Sequence, residues 1–419
     1  MSRCPRWFSL VGLCAASACA SVDVTPTRKP IEPAVETVSF GQDTGAGNVL
    51  LLQPFLYNDD YASAWLLSAK IENYLEEAKK KGWLNKRTLV VLPAHIGTWL
   101  IAADESPDLI QARSFEDVKR LLQTKRWFDY WTQMPFAAAK DKATHATFAL
   151  KAKETAQAYQ NLFGKIAIDY QVTMVAGSAV LLEPRLDGND LVIDSKGPLR
   201  EVACVFGPDG RIIGGPVRKV FVSSAEQSYL GPGAVDQLQV LETALGKVGV
   251  LIGADAWQPE PYVRYQAQSV DVVVALGWLP VNGGWQQSWS GYDSAPVPAG
   301  VAAGDAGTLK YGAAWAKYGL PGRLATSGAK VGVAVFGRGR VWDMELDGQA
   351  AAIKDGSALE IPQRAGPLLV NLWLGTAPAA SAPTPDKIGP APAATPAAGA
   401  TSDDKSKKKS GKKKSKKSR

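Results

Sequence analysis

Short apolar runs rich in branched residues alternate with longer stretches of helical spacing from Asn48 to Leu374, and this alternation most narrows the possible folds. Val49-Leu50-Leu51-Leu52-Gln53 and Thr88-Leu89-Val90-Val91-Leu92-Pro93 read as buried strands, with a helical pattern over Ala62 to Lys81 between them. Two helices are expected at 115–131 and 147–168, followed by strand-like runs at Val172 to Ala179, Glu201 to Phe206 and Val217 to Val222. Asp236 to Leu245 reads as helix and Lys247 to Ile252 as strand. Pro259 to Gln268 then reads as helix and Val270 to Ala275 as strand. The turn Gly207-Pro208-Asp209-Gly210 adds an antiparallel hairpin signal. Helices and strands interleaved in this way point to a layered α/β fold.

The two ends differ from this body. Arg3 and Arg6 precede an apolar run from Trp7 to Ala16 that closes in small residues, the pattern of a secretory signal peptide over residues 1–18. The run is too short to span a bilayer, and no later apolar run reaches about 18 residues. Ala16-Ser17-Ala18-Cys19 resembles a bacterial lipobox with Ala at its usual leucine position, which makes Cys19 the expected lipidated first residue of the mature chain. Simple cleavage after Ala18 is the alternative. Ala20 stands where an aspartate would favour inner-membrane retention, so the expectation is an exported outer-membrane lipoprotein of a bacterial cell envelope. Residues 19–47 read as a polar spacer, 48–374 as the folded domain, 375–404 as an Ala/Pro-rich linker and 405–419 as a Lys-rich disordered tail.

A hydrophobic share of 46% and 13 Trp can fill a large core, which excludes wholesale disorder. The net charge of +7 is smaller than the charge of Lys405–Arg419 alone, with nine Lys, one Arg and no acid, so the body is slightly acidic. A basic nucleic-acid-binding body is thereby excluded. The tail is expected either to bind an anionic envelope polymer by counterion release or merely to solubilise the chain, and lysines without aromatics argue against base recognition. Four Cys and two His exclude a disulfide scaffold or a Cys/His zinc site of ordinary spacing, so neither metal nor cofactor is expected.

Three stretches carry chemistry in their order. Val90-Val91-Leu92-Pro93 leads to Ala94, and Val205-Phe206-Gly207-Pro208-Asp209-Gly210-Arg211-Ile212-Ile213 leads to Arg218-Lys219. The third is Gly249-Val250-Leu251-Ile252-Gly253-Ala254-Asp255-Ala256-Trp257-Gln258-Pro259-Glu260. With Gln53, Ala176-Gly177-Ser178 and Asp271 to Leu276 in support, they resemble the nitrilase, or carbon–nitrogen hydrolase, superfamily over about Asn48 to Leu374. The resemblance implies a four-layer α-β-β-α sandwich, often paired, which allows a homodimer. It also implies four catalytic groups: a Glu base, a Cys nucleophile, a Lys for the oxyanion and a second Glu that orients the substrate.

Here the base position falls on Ala94 and the nucleophile position on Gly253. Lys219 is retained, and Glu226, seven residues on, matches the second Glu. Lys219 is expected to pair with Glu226 or to reach water, because an unpaired buried ammonium is costly. No carboxylate lies nearer to Pro93 than Asp104, and Cys204 reads as a small buried hydrophobe. Deleting the nucleophile of a catalytic triad costs about 10⁶ in rate, which positioning alone does not replace. His95, as a base with Asp255 or water as nucleophile, would be the way to rewire the site, yet strand alternation predicts that His95 faces away from the side of Ala94. Asp255, Trp257 and Trp278 are pocket candidates, the last in a Trp-rich stretch from Gly277 to Trp289. His145 reads as an ordinary helix residue, and the segment from Phe336 to Gly348 as a closing hairpin.

The sequence thus points to an exported, lipid-anchored nitrilase-fold protein without the family's covalent chemistry. Its expected role is to bind a small amide-, ureide- or carboxylate-like ligand, or to serve an envelope assembly. A carbon–nitrogen hydrolase with a rewired site is the alternative, and a structural envelope protein tethered by its tail the second. Cys19→Ser should abolish partitioning of the expressed protein into the detergent phase; a wild-type protein found free of lipid would end the anchor assignment.

Overall fold

Leu50, Leu52, Val90 and Leu92 enter one hydrophobic core, whereas their neighbours Val49, Leu51, Leu89 and Val91 enter another. Successive strand side chains point to opposite faces, so a run that is apolar at every position must be covered on both sides. That requirement generates the layers. The computed structural model describes residues 33–134, 139–292 and 297–375. The leader with Cys19, most of the linker and Lys405–Arg419 lie outside the described residues. Among the described residues, no helix is long and apolar enough to cross a membrane.

A seven-stranded sheet has the order Glu36–Phe40, Leu368–Trp373, Asn48–Gln53, Thr88–Val91, Thr173–Leu182, Leu199–Phe206, Val217–Arg218. The helices Ala64–Lys80 and Lys142–Tyr170 place Ile71, Leu75, Tyr159 and Phe163 in the core on one of its faces. Ser63 and Asp141 cap these helices by accepting the backbone N–H of Leu66 and Thr144. The other face belongs to the core shared with a six-stranded sheet of order Val240–Thr243, Gly246–Ile252, Val272–Gly277, Val331–Phe336, Ala351–Lys354, Ser357–Ala358. The helices Pro259–Ala267 and Tyr311–Tyr318 contribute Tyr262, Tyr265 and Trp315 to that core, completing a four-layer α-β-β-α sandwich.

Three local expectations are corrected. The expected spacer 19–47 contains the strand Glu36–Phe40, which pairs in parallel with Leu368–Trp373. Its low apolar content suits a sheet edge and hides it in sequence. The helix expected from Asp236 to Leu245 is instead a strand, Val240–Thr243, in a hairpin with Gly246–Ile252. Leu238, Leu241 and Leu245 imitate helical spacing, but Thr243 faces Gly246 across the two-residue connection Ala244-Leu245, after which Gly246 has φ 119°. The run Val217 to Val222 pairs as a strand only over Val217–Arg218, so Lys219 lies just past the sheet edge. The segment Arg338–Val341 and Met344–Asp347 forms the closing hairpin.

Candidate functional site

Lys219 is the charge around which the site is built. It is 5% exposed, and its Nζ lies 2.9 Å from Glu201 Oε2 and 2.7 Å from Glu226 Oε1. Burial works against the ammonium, but the two carboxylates outweigh it and raise its pKa above the ordinary lysine value. Glu226 is held in turn by the Ser223 N–H, which donates to its Oε2 at 2.7 Å. Glu201 comes from the strand Leu199–Phe206, and its backbone carbonyl accepts the Lys219 N–H at 2.9 Å. Burial would raise the Glu201 carboxyl as well. The neighbouring His95 and Lys219, with hydrogen bonds from Lys219 and Ser178, instead hold it down to about 2.

The approach of His95 to Glu201 corrects the sequence expectation. Its ring Nε2 lies 3.3 Å from Glu201 Oε1, and both Ala94 and His95 line the same cavity. The strand ends at Val91, and His95 adopts φ 57°, so the alternation that would have turned it away no longer applies. Its backbone N–H donates to Ser178 Oγ at 2.7 Å, and its Nδ1 lies 3.1 Å from Thr98 Oγ1. Ser178 also donates to Glu201 at 2.7 Å, linking the two. Ala176-Gly177 is a bulge where the pairing register shifts between Val175 and Ser178. Gly177 has φ 67°, and a Cβ there would lie 2.2 Å from the Pro93 carbonyl, so only glycine permits this approach.

Gly253 follows directly on the strand Gly246–Ile252 and carries φ 54°. A Cβ built on it would lie 3.3 Å from Lys219 Nζ and 3.5 Å from Lys219 Cε. The turn therefore presents its apex to the ammonium with no side chain upon it. Asp255 does not line the cavity, contrary to its expected place there. Fully buried, it accepts the N–H of Val220 at 3.0 Å, of Phe221 at 2.7 Å and of Ile252 at 3.3 Å. These bonds staple the Gly253 turn to the segment after Lys219.

The cavity above this floor has a volume of about 780 Å³, within the range of small-molecule sites. Trp257 and Trp278 both line it. Trp257 stacks on Trp289 at 5.7 Å between ring centroids, and Trp278 meets His95 edge-on at 5.5 Å. Cys204 is outside the lining, buried, with its thiol pushed up to about 12 by burial. His145 is also outside the lining and buried. Among the described residues, His95, Glu201 and Glu226 offer three donor atoms within 4.8 Å of one another. The Lys219 ammonium already binds both carboxylates, so a metal ion there would have to displace it.

Glu201 is the site residue that sequence reasoning missed. It sits in a largely apolar strand, and the one signal was a carboxylate opening the run Glu201 to Phe206 that is otherwise apolar, a position that requires a partner if buried. Glu201→Gln should destabilise the fold at neutral pH by roughly 1.5–3 kcal/mol in chemical unfolding, the loss of a charge-assisted hydrogen bond while Glu226 still pairs with Lys219. The sign with pH follows from the lowered carboxyl. Its contribution is complete above the ordinary value of 4.5 and lost as pH falls toward 2, so the wild type should lose more stability than Glu201→Gln across that interval. Equal acid sensitivity of the two would contradict the assignment.

A model of the carbon–nitrogen hydrolase family matches residues 57–295. Among solved structures, an amidase from Nesterenkonia sp. AN1 aligns at 14% identity over 78% of this chain and 93% of its own, with a TM-score of 0.48. A carbon–nitrogen hydrolase from Helicobacter pylori G27 aligns at 17% identity over 78% and 89%, with a TM-score of 0.49. No curated protein sequence matches the chain. The family match covers more than half of the chain and takes in Lys219, Glu226 and the Gly253 turn, and on that ground the chain belongs to the carbon–nitrogen hydrolase family of the nitrilase superfamily.

Proposed function

We propose that this protein is an exported, lipid-anchored carbon–nitrogen hydrolase fold that binds a small ligand without the family's covalent chemistry. The observation that carries the reading is the bare apex of the turn: Gly253 lies under Lys219, and Ala94 faces the same cavity. Neither position supplies a thiol or a base, and the buried Cys204 lies elsewhere. Glu201 is a poor substitute base, since a carboxyl held near 2 has little affinity for a proton at neutral pH. Two carboxylates facing one ammonium favour the uncharged amide- and ureide-like members of the expected ligand class over carboxylates. The aromatic walls add stacking surface for a planar group. The basic tail would add a second contact, to an anionic envelope polymer.

A rewired hydrolase is favoured by one observation, the 3.3 Å approach of His95 to Glu201 at the cavity floor. In that reading His95 deprotonates a water lodged over Gly253. The two readings separate in a single set of measurements. The wild type should show no turnover of amides, nitriles or N-carbamoyl compounds, while aromatic amides or ureides change its tryptophan emission saturably. Trp278→Ala should weaken that binding by about fivefold, the loss of one stacked aromatic contact of about 1 kcal/mol. Turnover by the wild type that disappears in His95→Ala would install the rewired hydrolase instead.

A further inference from the structure

Trp127, Phe128 and Trp131 are 61%, 65% and 61% exposed, a cluster of large apolar side chains of the size that is often functional. All three lie on the helix Trp127–Gln133, which has no buried residue. At roughly 100° per residue the three rings fall within about one quadrant of the helix, while Asp129 points to the opposite side. Tyr130 packs against the helix-covered core and fixes which side faces out. Trp127 and Phe128 meet edge-on at 5.8 Å, so the rings form one patch.

We propose that this patch is a membrane-contact surface whose rings enter the headgroup region of a lipid bilayer. Three rings about six-tenths exposed offer on the order of 300–400 Å², since an aromatic side chain buries about 150–250 Å² in all. A stable protein interface needs about 800 Å² per partner, so a second copy or another protein would gain too little here. A bilayer surface has no such threshold, and indole rings partition into the interface with their N–H groups at headgroup level. The flanking cations are satisfied within the protein, Lys125 by Asp108 at 2.9 Å and Arg126 by Glu154 at 3.2 Å, so the contact is apolar and does not require anionic lipid.

The chain outside the described residues supplies the opportunity. Cys19 precedes the first described residue by 14 positions, a span that reaches at most about 50 Å. A domain of this size has a radius of gyration of about 20 Å, so a lipid on Cys19 leaves the patch free to reach the same bilayer. The patch lies between two cavity-lining helices, Phe115–Lys125 with Lys119 and Lys142–Tyr170 with Phe148.

The test uses the chain from Ala20 onward, which lacks Cys19 and its lipid, with phosphatidylcholine vesicles in high salt, where the basic tail has no anionic surface to bind. The chain should float with the vesicles, and Trp127→Ser, Phe128→Ser and Trp131→Ser combined should lower the bound fraction by roughly fivefold or more. Because these side chains are exposed, the melting temperature should stay unchanged, which separates lost binding from lost folding. Tryptophan quenching by bromine-labelled lipid should fall in the same variant. Equal flotation of both proteins would overturn the proposal. So would a triple variant that changes oligomeric state in solution without changing vesicle binding, which would assign the patch to a protein partner.

Discussion

A single buried ammonium organises the functional end of this fold. Lys219 is 5% exposed and would be a severe liability unpaired, because desolvating a lone cation costs several kcal/mol. Glu201 and Glu226 remove that cost from two directions, one from a sheet strand and the other from the turn that follows Ser223. The surrounding architecture keeps them there. The bulge at Ala176-Gly177 brings Ser178 to Glu201 and to the His95 backbone. Asp255 binds the Gly253 turn to the residues just after Lys219.

This arrangement explains how the fold survives without two of the groups its family resemblance implies. Ala94 leaves no carboxylate behind Pro93, yet Lys219 keeps two counter-charges because Glu201 stands on the adjoining strand. Gly253 adopts φ 54° at no steric cost, so the turn needs no side chain to hold its shape. The electrostatic frame around Lys219 therefore stands with no carboxylate at Ala94 and no side chain at Gly253. That frame lies under an aromatic-walled cavity of about 780 Å³, the size of a small-molecule site.

Much of this was legible in the sequence. The motif order gave Lys219, Glu226 and the Gly253 turn, and the apolar strand runs gave the layers, because each run is covered on both faces. What escaped had physical reasons. Glu201 is a lone acid in an apolar strand, and only three-dimensional proximity reveals that its partner lies 18 residues away. His95 defied alternation because its left-handed backbone begins a new path after the strand ends. Asp255 bonds three backbone amides, which no spacing rule announces. The strand Glu36–Phe40 is formed by pairing with the far end of the domain, so its own composition carries little signal.

The central claim is that the site lacks only the reacting atoms, and intact-mass measurement after incubation with a reactive ester tests it most directly. Gly253→Cys combined with Ala94→Glu should acquire one acyl group on the introduced thiol, while the wild type stays unmodified under the same conditions. A Cβ at Gly253 lies 3.3 Å from Lys219 Nζ, so the introduced thiol would stand beside the ammonium. Acylation of the wild type, or equal labelling of wild type and variant, would contradict the claim and place a working nucleophile in the wild-type protein.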